Sequence, residues 1–243
     1  GKFSSLGTGD GNLELYVGGL VVDSAGNIYA SDSFDNRITK FSPFGTFIRS
    51  FGSSFNGPSD VAVDGSGNTY VADSSNNVIK KFDPFGNLLS SFGSSGSGNG
   101  QFNNPSDVAV NTNLGKIYVV DTNNSRIQIF NSAGVYQSQF GTFGSSTSQF
   151  DHPRGIAING TGVLYVTDTG NNRVQLFNAS GTYISQFGTF GSGSNNFDTP
   201  RGIATDILGN VYVADSGNTR VQVFDASGNN LFSFGSQGSN AGQ

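Results

Sequence analysis

The sequence predicts an all-β fold, a β-propeller of four-stranded antiparallel blades, and three observations support this prediction. One motif occurs five times, as NIYASDSFDNRITKF (27–41), NTYVADSSNNVIKKF (68–82), KIYVVDTNNSRIQIF (116–130), VLYVTDTGNNRVQLF (163–177) and NVYVADSGNTRVQVF (210–224). Its aspartates recur at intervals of 41, 48, 47 and 47 residues, a period at which each copy is one supersecondary unit that packs on its neighbours. The 36 glycines imply frequent turns between short strands.

Each copy divides into four strands, as the fourth copy shows. The segments PRGIAING (153–160), VLYVTD (163–168), NRVQLFN (172–178) and TYISQFG (182–188) are short and rich in β-branched and aromatic residues. Asp or Asn followed by Gly predicts hairpin turns, and the extra residue of NTNLGK in the third copy predicts a longer hairpin there. A glycine follows each anchor aspartate by thirteen residues and a phenylalanine follows that glycine by six. Such constant spacing indicates packed structure.

These segments predict one propeller domain over residues 1–235. The repeats span about 15–52, 53–93, 100–141, 148–188 and 195–235. Residues 1–7 (GKFSSLG) align with the fourth strand NLLSSFG (87–93) and are predicted to be a surplus outer strand, and residues 236–243 are predicted to be a flexible tail. Five blades are the simplest interpretation, and a six-fold ring with an incomplete blade is the alternative.

Composition excludes several classes of function. The net charge is −5 and no basic run exceeds Lys80-Lys81, so we expect no nucleic-acid partner. No segment is long and apolar enough to insert into a membrane. Cysteine is absent, which excludes disulfides, thiolate catalysis and thiolate metal sites. Methionine is also absent, and we expect a mature secreted chain, extracellular or at the cell surface. Three sequons agree with possible N-glycosylation, at Asn123, Asn159 and Asn178.

The repeated string P-x-G-[IV]-A-[VI]…G-N-x-Y-V-x-D-[ST]-x-N-x-R-[IV]-Q-x-F resembles the NHL repeat over about 15–235. The resemblance implies a propeller, commonly six-bladed, with roles that span RNA binding, protein binding and metal-assisted lyase or hydrolase chemistry. Two positions depart from it, because Val17 replaces the opening proline and Val78 replaces the arginine. The shared aspartates and arginines are expected to be structural anchors: Asp32, Asp73, Asp121, Asp168, Asp215, Arg37, Arg126, Arg173 and Arg220.

Catalysis is not expected. The chain has one histidine, His152, and one glutamate, Glu14, so a zinc site with nitrogen or sulfur ligands is excluded. Calcium could be held by a ring of aspartates, but strand-end hydrogen bonding explains the anchors more simply. A Ser-His-Asp triad would need His152, which has no nucleophile signature nearby. We therefore expect neither a catalytic residue nor a cofactor.

The positions at which the copies differ are the candidate binding residues. After the opening proline stand Gly18, Ser59, Ser106, Arg154 and Arg201, followed by Gly19, Asp60, Asp107, Gly155 and Gly202. These positions begin the innermost strands and are expected to rim one mouth of the central channel, with Asp60 and Asp107 on one arc and Arg154, Arg201 and the nearby His152 on another. Such a rim could orient a polar ligand. Alternatively, the opposite charges pair and close the mouth.

The sequence favours an extracellular, non-catalytic interaction or scaffold module of a cell surface or matrix, with a protein or glycan partner. One alternative is a self-assembling filament or sheath subunit joined to copies of itself by terminal strand exchange. Another is a lectin-like propeller. RNA binding is not expected, because the charge has the wrong sign and the aromatic residues fall at predicted core positions.

Overall fold

The computed structural model describes residue 13 and residues 17–52 and 54–238. Within these residues the predicted all-β propeller fold is confirmed, with five sheets of four antiparallel strands as its blades. The predicted surplus strand at 1–7 and residues 239–243 of the predicted tail lie outside the described residues. No helix in the described part of the chain has the length and apolar character needed to cross a membrane.

Each blade is a meander in which consecutive strands pair. Blade 1 contains β1 (Val17–Val22), β2 (Ile28–Asp32), β3 (Arg37–Phe41) and β4 (Phe47–Phe51). Blade 2 contains β5 (Pro58–Val63), β6 (Thr69–Asp73), β7 (Val78–Phe82) and β8 (Leu88–Phe92). Blade 3 contains β9 (Pro105–Asn111), β10 (Lys116–Asp121), β11 (Arg126–Asn131) and β12 (Tyr136–Phe140).

Blade 4 contains β13 (Pro153–Ile158), β14 (Leu164–Asp168), β15 (Arg173–Phe177) and β16 (Tyr183–Phe187). A short parallel pair, β17 (Thr189–Phe190) and β18 (Asn196–Phe197), follows it. Blade 5 contains β19 (Pro200–Thr205), β20 (Val211–Asp215), β21 (Arg220–Phe224) and β22 (Asn230–Phe234). Short 3₁₀ turns follow the second strand of blades 2 to 5, at Ser74–Asn76, Thr122–Asn124, Thr169–Asn171 and Ser216–Asn218.

The hairpin of the third copy, β9–β10, is longer than that of the fourth, but its turn is not. The extra residue extends the strands instead, because β9 has 7 residues and β10 has 6, compared with 6 and 5 for β13 and β14. The turn between β9 and β10 is consequently short, and its Gly115 takes a positive φ of 61°.

The chain divides into two compact units. Unit 1 includes blades 1 and 2 and most of blade 3, up to residue 123 and again over 128–138. Unit 2 includes residues 124–127 and the chain from residue 139, and so contains blades 4 and 5.

Neighbouring blades in each unit pack through apolar faces. In unit 1, Tyr29 and Ile38 of blade 1 share a core cluster with Val61 and Val71 of blade 2. In unit 2, Tyr165 and Val174 of blade 4 share a cluster with Val211 and Val213 of blade 5. The residues that alternate on one side of a strand therefore cover the next blade, as period-two patterning requires.

The fixed Gly–Phe spacing has a packing cause. Phe140, at the end of β12, lies 4.6 Å from the ring of Phe177 and directly under Gly181, which has a φ of +84°. A Cβ at Gly181 would collide with the Phe140 ring, and its positive φ also favours glycine. The same arrangement joins Phe187 to Phe224 and Gly228, at 4.7 Å between the rings.

A hydroxyl group also joins successive blades. The residue after the anchor aspartate donates to the carbonyl of the next blade's opening proline, from Ser33 to Pro58 at 2.6 Å and from Thr169 to Pro200 at 2.7 Å. Ser74 donates to the Pro105 carbonyl in the same way. The opening proline therefore contributes an acceptor to the interface between blades.

Candidate functional site

The five anchor aspartates are completely buried. In blade 4, Asp168 accepts hydrogen bonds from Arg173 Nε at 2.7 Å, Gln175 Nε2 at 3.1 Å and the Asp151 amide at 2.8 Å. Burial raises the pKa of Asp168, although the Asp151 amide, Asn171 and Arg173 act to lower it. Because the Asp151 amide belongs to the loop that enters blade 4, the carboxylate ties this loop to the sheet.

The anchor contacts recur with variations in the other blades. Asp215 pairs with Arg220 Nε at 2.8 Å, and Asp32 pairs with Arg37 Nε at 3.3 Å. In blade 3, Asp121 accepts from Gln128 Nε2 at 3.0 Å, and Arg126 is buried and donates to Gln139 at 2.7 Å. In these contacts the carboxylates and guanidinium groups bind other residues of the protein.

In blade 2, which lacks the arginine, a lysine two residues farther along β7 pairs with the anchor aspartate. Val78 has no charge to offer Asp73, but Lys80 Nζ lies 2.8 Å from Asp73 Oδ2 and 4.8 Å from the centre of the Phe55 ring. Lys80 occupies the position that Gln128, Gln175 and Gln222 hold in blades 3 to 5. Residues two apart on a strand face the same side, which allows this substitution.

The variable first-strand positions bring like charges together. In unit 1, the carboxyl groups of Asp60 and Asp107 interact through a hydrogen bond. Asp60 Oδ2 also accepts the Val108 amide at 3.2 Å. Burial first, and then Asp107, raise the pKa of Asp60 well above its usual range. Two close carboxyls disfavour each other's ionisation, so this pair is harder to ionise than two separate aspartates.

In unit 2, Arg154 and Arg201 are also neighbours. Burial and the charge of Arg201 lower the pKa of Arg154, but a guanidinium stays protonated at neutral pH. Arg154 is partly buried and Arg201 is exposed. This pair therefore presents two positive charges side by side.

His152 lies in the loop that precedes Arg154. Its backbone has a positive φ of 49°, and its Nδ1 is 2.5 Å from Oδ1 of Asp151. The side chain is 57% exposed. The imidazole is thus exposed to solvent at the end of the sheet where β13 begins.

Two exposed phenylalanines, absent from the predicted site, lie at the same ends of these sheets. Phe143 is 71% exposed in the connection from β12 to β13, and Phe190 is 72% exposed in the connection from β16 to β19. Ser95 stands at the corresponding position before blade 3. We name Phe143, His152, Arg154, Phe190 and Arg201 the basic surface. The sequence indicates these two phenylalanines by a difference between repeats, the same criterion that selects the arginines.

The loops that carry these phenylalanines are held by backbone pairing. Phe190 pairs with Phe197 in the short parallel ladder, and Phe143 pairs with Phe150 in the same way. Gly144 and Gly191 then donate their amides to the carbonyls of Phe150 and Phe197 at 3.0 Å. Because Phe150 and Phe197 are fully buried, the exposed rings are presented from anchored loops.

The three sequon asparagines lie in turns. Asn123 and Asn178 are exposed, and Asn178 Oδ1 accepts the amides of Ser180 and Thr182 at 2.9 and 3.0 Å. Asn159 is more enclosed, with its Nδ2 at 3.3 Å from the Tyr165 hydroxyl. Among the described residues, no group of three or more His, Cys, Asp or Glu side chains is arranged to hold a metal ion.

The NHL repeat profile matches residues 55–82, 102–130, 150–177 and 197–224. The chain belongs to the NHL-repeat propeller family. The matched segments correspond to blades 2 to 5 and contain their anchor aspartates. The first copy, which has Val17 in place of the opening proline, lies outside the matched segments. No curated protein matches the chain.

Solved structures share the fold. A chain in the crystal structure of a nidogen/laminin complex has a TM-score of 0.73 at 17% identity, and the match covers 90% of this chain and 80% of that one. A streptogramin B lyase has a TM-score of 0.69 at 16% identity, with 92% and 70% covered. Virginiamycin B lyase from Staphylococcus aureus has a TM-score of 0.68 at 15% identity, with 90% and 69% covered. At these identities the likeness shows the fold alone.

Proposed function

We propose that this protein is an extracellular, non-catalytic interaction module that binds an acidic segment of a protein partner through the basic surface. The observation that supports this most is the combination of Arg154 and Arg201 with two exposed aromatic rings at the same ends of two adjacent sheets. Arginine and aromatic residues are enriched among the residues that dominate protein–protein binding energies.

The geometry favours binding by a preformed surface. Phe143 and Phe190 are carried by loops with backbone hydrogen bonds to buried residues, so binding would order few additional groups. The positive charges would attract an acidic segment and raise its association rate. The nidogen/laminin structure, whose chain shares this fold, is a complex between proteins, and this agrees with a role in protein interaction.

A non-catalytic role agrees with the residues available for acid–base chemistry. The chain has one histidine and no cysteine, and the histidine ring contacts the carboxylate of its neighbour Asp151. The lyases share the fold at 15–16% identity. We propose that the chain acts without a metal cofactor, and we expect no turnover when it is incubated with a streptogramin B antibiotic.

An extracellular location agrees with the exposure of two of the sequon asparagines, Asn123 and Asn178. Both side chains are open to modification in their turns. Mass spectrometry of the native protein would detect a glycan at these positions, and Asn159 would be modified less because its side chain lies against Tyr165.

Binding is tested with an immobilised Asp/Glu-rich peptide as the probe and a Lys-rich peptide of equal length as the control. The variant with Arg154→Ala and Arg201→Ala should bind the acidic peptide at least about tenfold more weakly, which corresponds to about 1.4 kcal/mol. Phe143→Ala with Phe190→Ala should weaken it as well, mainly through faster dissociation.

Phe85→Ala is the matched control, because Phe85 is 70% exposed in the turn between β7 and β8, at the opposite end of its sheet from the first-strand starts. This variant should bind like the wild type. Equal binding of the acidic peptide by the double-arginine variant, with its thermal stability unchanged, would contradict the proposal.

A further inference from the structure

The interface between successive blades has two different sides. One side, which we name the rear face, carries a tyrosine of the second strand, a β-branched residue of the third strand and a phenylalanine of the fourth. The other side, the front face, carries apolar residues of the first strand. In unit 1, for example, Tyr29 and Ile38 of blade 1 pack with Val61 of blade 2.

The rear face of blade 5 is exposed. The tyrosines equivalent to Tyr212 are at most 1% exposed in the other blades, and the residues equivalent to Val221 are 0% exposed, whereas Tyr212 and Val221 are both partly exposed. Phe234 is 52% exposed. Ser216, whose equivalents Ser33, Ser74 and Thr169 donate to a proline carbonyl, is exposed and lies 3.5 Å from the Ala214 carbonyl of its own blade.

The front face of blade 1 is exposed in the same sense. Leu20 is 66% exposed and Val22 is 61% exposed. The residues that occupy the position of Leu20 in the following three blades, Val61, Val108 and Ile156, are only 2%, 2% and 4% exposed. Unit 1 thus has an exposed front face on blade 1, and unit 2 has an exposed rear face on blade 5.

Blade 5 also departs from the repeat on its rear face. Phe232 stands where blades 2 to 4 have Ser90, Ser138 and Ser185, and its ring is 54% exposed. Its ring centroid is 6.4 Å from that of Phe234, as expected for residues two apart on one face of a strand. The substitution enlarges an apolar surface at the one blade whose rear face is open, which is unusual for a surface meant to remain in water.

We propose that the rear face of blade 5 docks on the front face of blade 1 of a second copy of this chain. A second copy fits because it carries the matching half of an interface that already occurs between neighbouring blades within each unit. Tyr212 and Val221 would cover Leu20 as Tyr29 and Ile38 cover Val61. Ser216 would donate to the carbonyl of Val17, which stands at the position of the opening proline. The contact is heterologous, so association is head to tail.

This association is independent of the proposed function. The basic surface lies at the strand ends and uses none of the residues of these two faces. The variant with Arg154→Ala and Arg201→Ala should therefore associate like the wild type, so failure of one proposal is distinguishable from failure of the other.

Sedimentation velocity of the full chain over a range of concentrations tests the proposal. The wild type should shift from monomer to larger species as concentration rises. Phe232→Lys, which blocks the rear face, and Leu20→Asp, which blocks the front face, should each weaken association at least about tenfold. Both positions are exposed, so each variant should fold. Leu208→Asp is the matched control, because Leu208 is 82% exposed in the turn before β20, and it should associate like the wild type.

Mixing the two variants tests the polarity of the contact. Phe232→Lys keeps an intact front face and Leu20→Asp keeps an intact rear face, so the mixture should form one-to-one dimers and nothing larger. A wild type that is monomeric at every concentration would overturn the proposal. Association that survives in both single variants, or a mixture that stays monomeric although the wild type associates, would overturn it as well.

Discussion

Blades 2 and 4 are the same four-stranded unit, but they differ in their charged residues at two places, the buried anchor and the start of the first strand. At the buried anchor, blade 4 pairs Asp168 with Arg173, whereas blade 2 pairs Asp73 with Lys80 from a different position on the third strand. At the start of the first strand, blade 4 has Arg154 and Gly155 where blade 2 has Ser59 and Asp60. The anchor can change residue without changing role, while the first-strand position changes the chemistry offered to a partner.

The largest expected effect is at the blade 4 anchor. Arg173→Ala leaves Asp168 buried without its cation and should lower the free energy of unfolding by about 3–5 kcal/mol at neutral pH. Chemical denaturation measures this loss. The pKa of Asp168 is already raised by burial, and the arginine acts to lower it. In the variant, Asp168 should therefore stay protonated up to a higher pH. The loss of stability relative to the wild type should shrink as the pH falls towards the unfolded pKa of aspartate.

Asp151→Ala is the control for this substitution, because Asp151 is partly exposed and contributes its backbone amide to Asp168. It should cost about 1 kcal/mol or less. An Arg173→Ala variant no less stable than Asp151→Ala would show that the anchor pair does not stabilise the blade.

An intermediate effect is expected at the blade 2 anchor. Lys80→Gln gives Asp73 the amide that blades 3 to 5 use but removes the cation that pairs with it, and should lower the free energy of unfolding by about 2 kcal/mol. Adding Val78→Arg supplies the missing arginine and should recover at least about 1 kcal/mol. A double-mutant cycle by chemical denaturation measures this coupling. Simple additivity of the two substitutions would refute the equivalence of Lys80 with the Arg–Gln pair.

The smallest effect is expected at the first strand of blade 2. The pKa of Asp60 is raised in the folded state, so the stability it contributes is complete below the unfolded pKa and is lost as pH rises through the folded pKa. Asp60→Asn mimics the protonated carboxyl and should flatten this fall, with a gain of about 1 kcal/mol at neutral pH. Thermal unfolding from pH 4 upwards measures it.

Asp83→Asn is the matched control, because hydrogen bonds from Asn87 lower the pKa of Asp83. The stability that Asp83 contributes is present above its unfolded pKa, so Asp83→Asn should lose stability with rising pH as the wild type does. If Asp60→Asn also lost stability in this way, the raised pKa of Asp60 would not be the cause.

These comparisons show what could be predicted from the sequence. The blade and its anchor were predictable because the fixed spacing of Asp168, Gly181 and Phe187 repeats in every copy, and the packing of Phe140 under Gly181 supplies the reason for it. The role of Lys80 as an anchor partner was not predictable in this way, because one side chain replaces both the arginine and the glutamine of the other blades. It does so from the glutamine position, on the same face of the strand. Its signal was a lysine where three other copies have glutamine.

The charged positions were only partly predictable. Asp60 and Asp107 were expected to form an acidic arc. The raised pKa of Asp60 depends on its burial and on its distance from Asp107, and the spacing along the sequence specifies neither. Phe143 and Phe190 were missed because the aromatic residues were expected in the core, as Phe150 and Phe197 are. Their exposure follows from the loop geometry, in which the partner of each backbone pair is buried instead.

The hydroxyl bond from Ser33, Ser74 and Thr169 to the following proline carbonyl has an evolutionary consequence. Blade 2 carries both a donor for its successor, Ser74, and an acceptor for its predecessor, the Pro58 carbonyl, so a gene segment that encodes such a period brings both with it. Unequal crossing-over could then add or delete a whole period without compensating substitutions in the flanking blades.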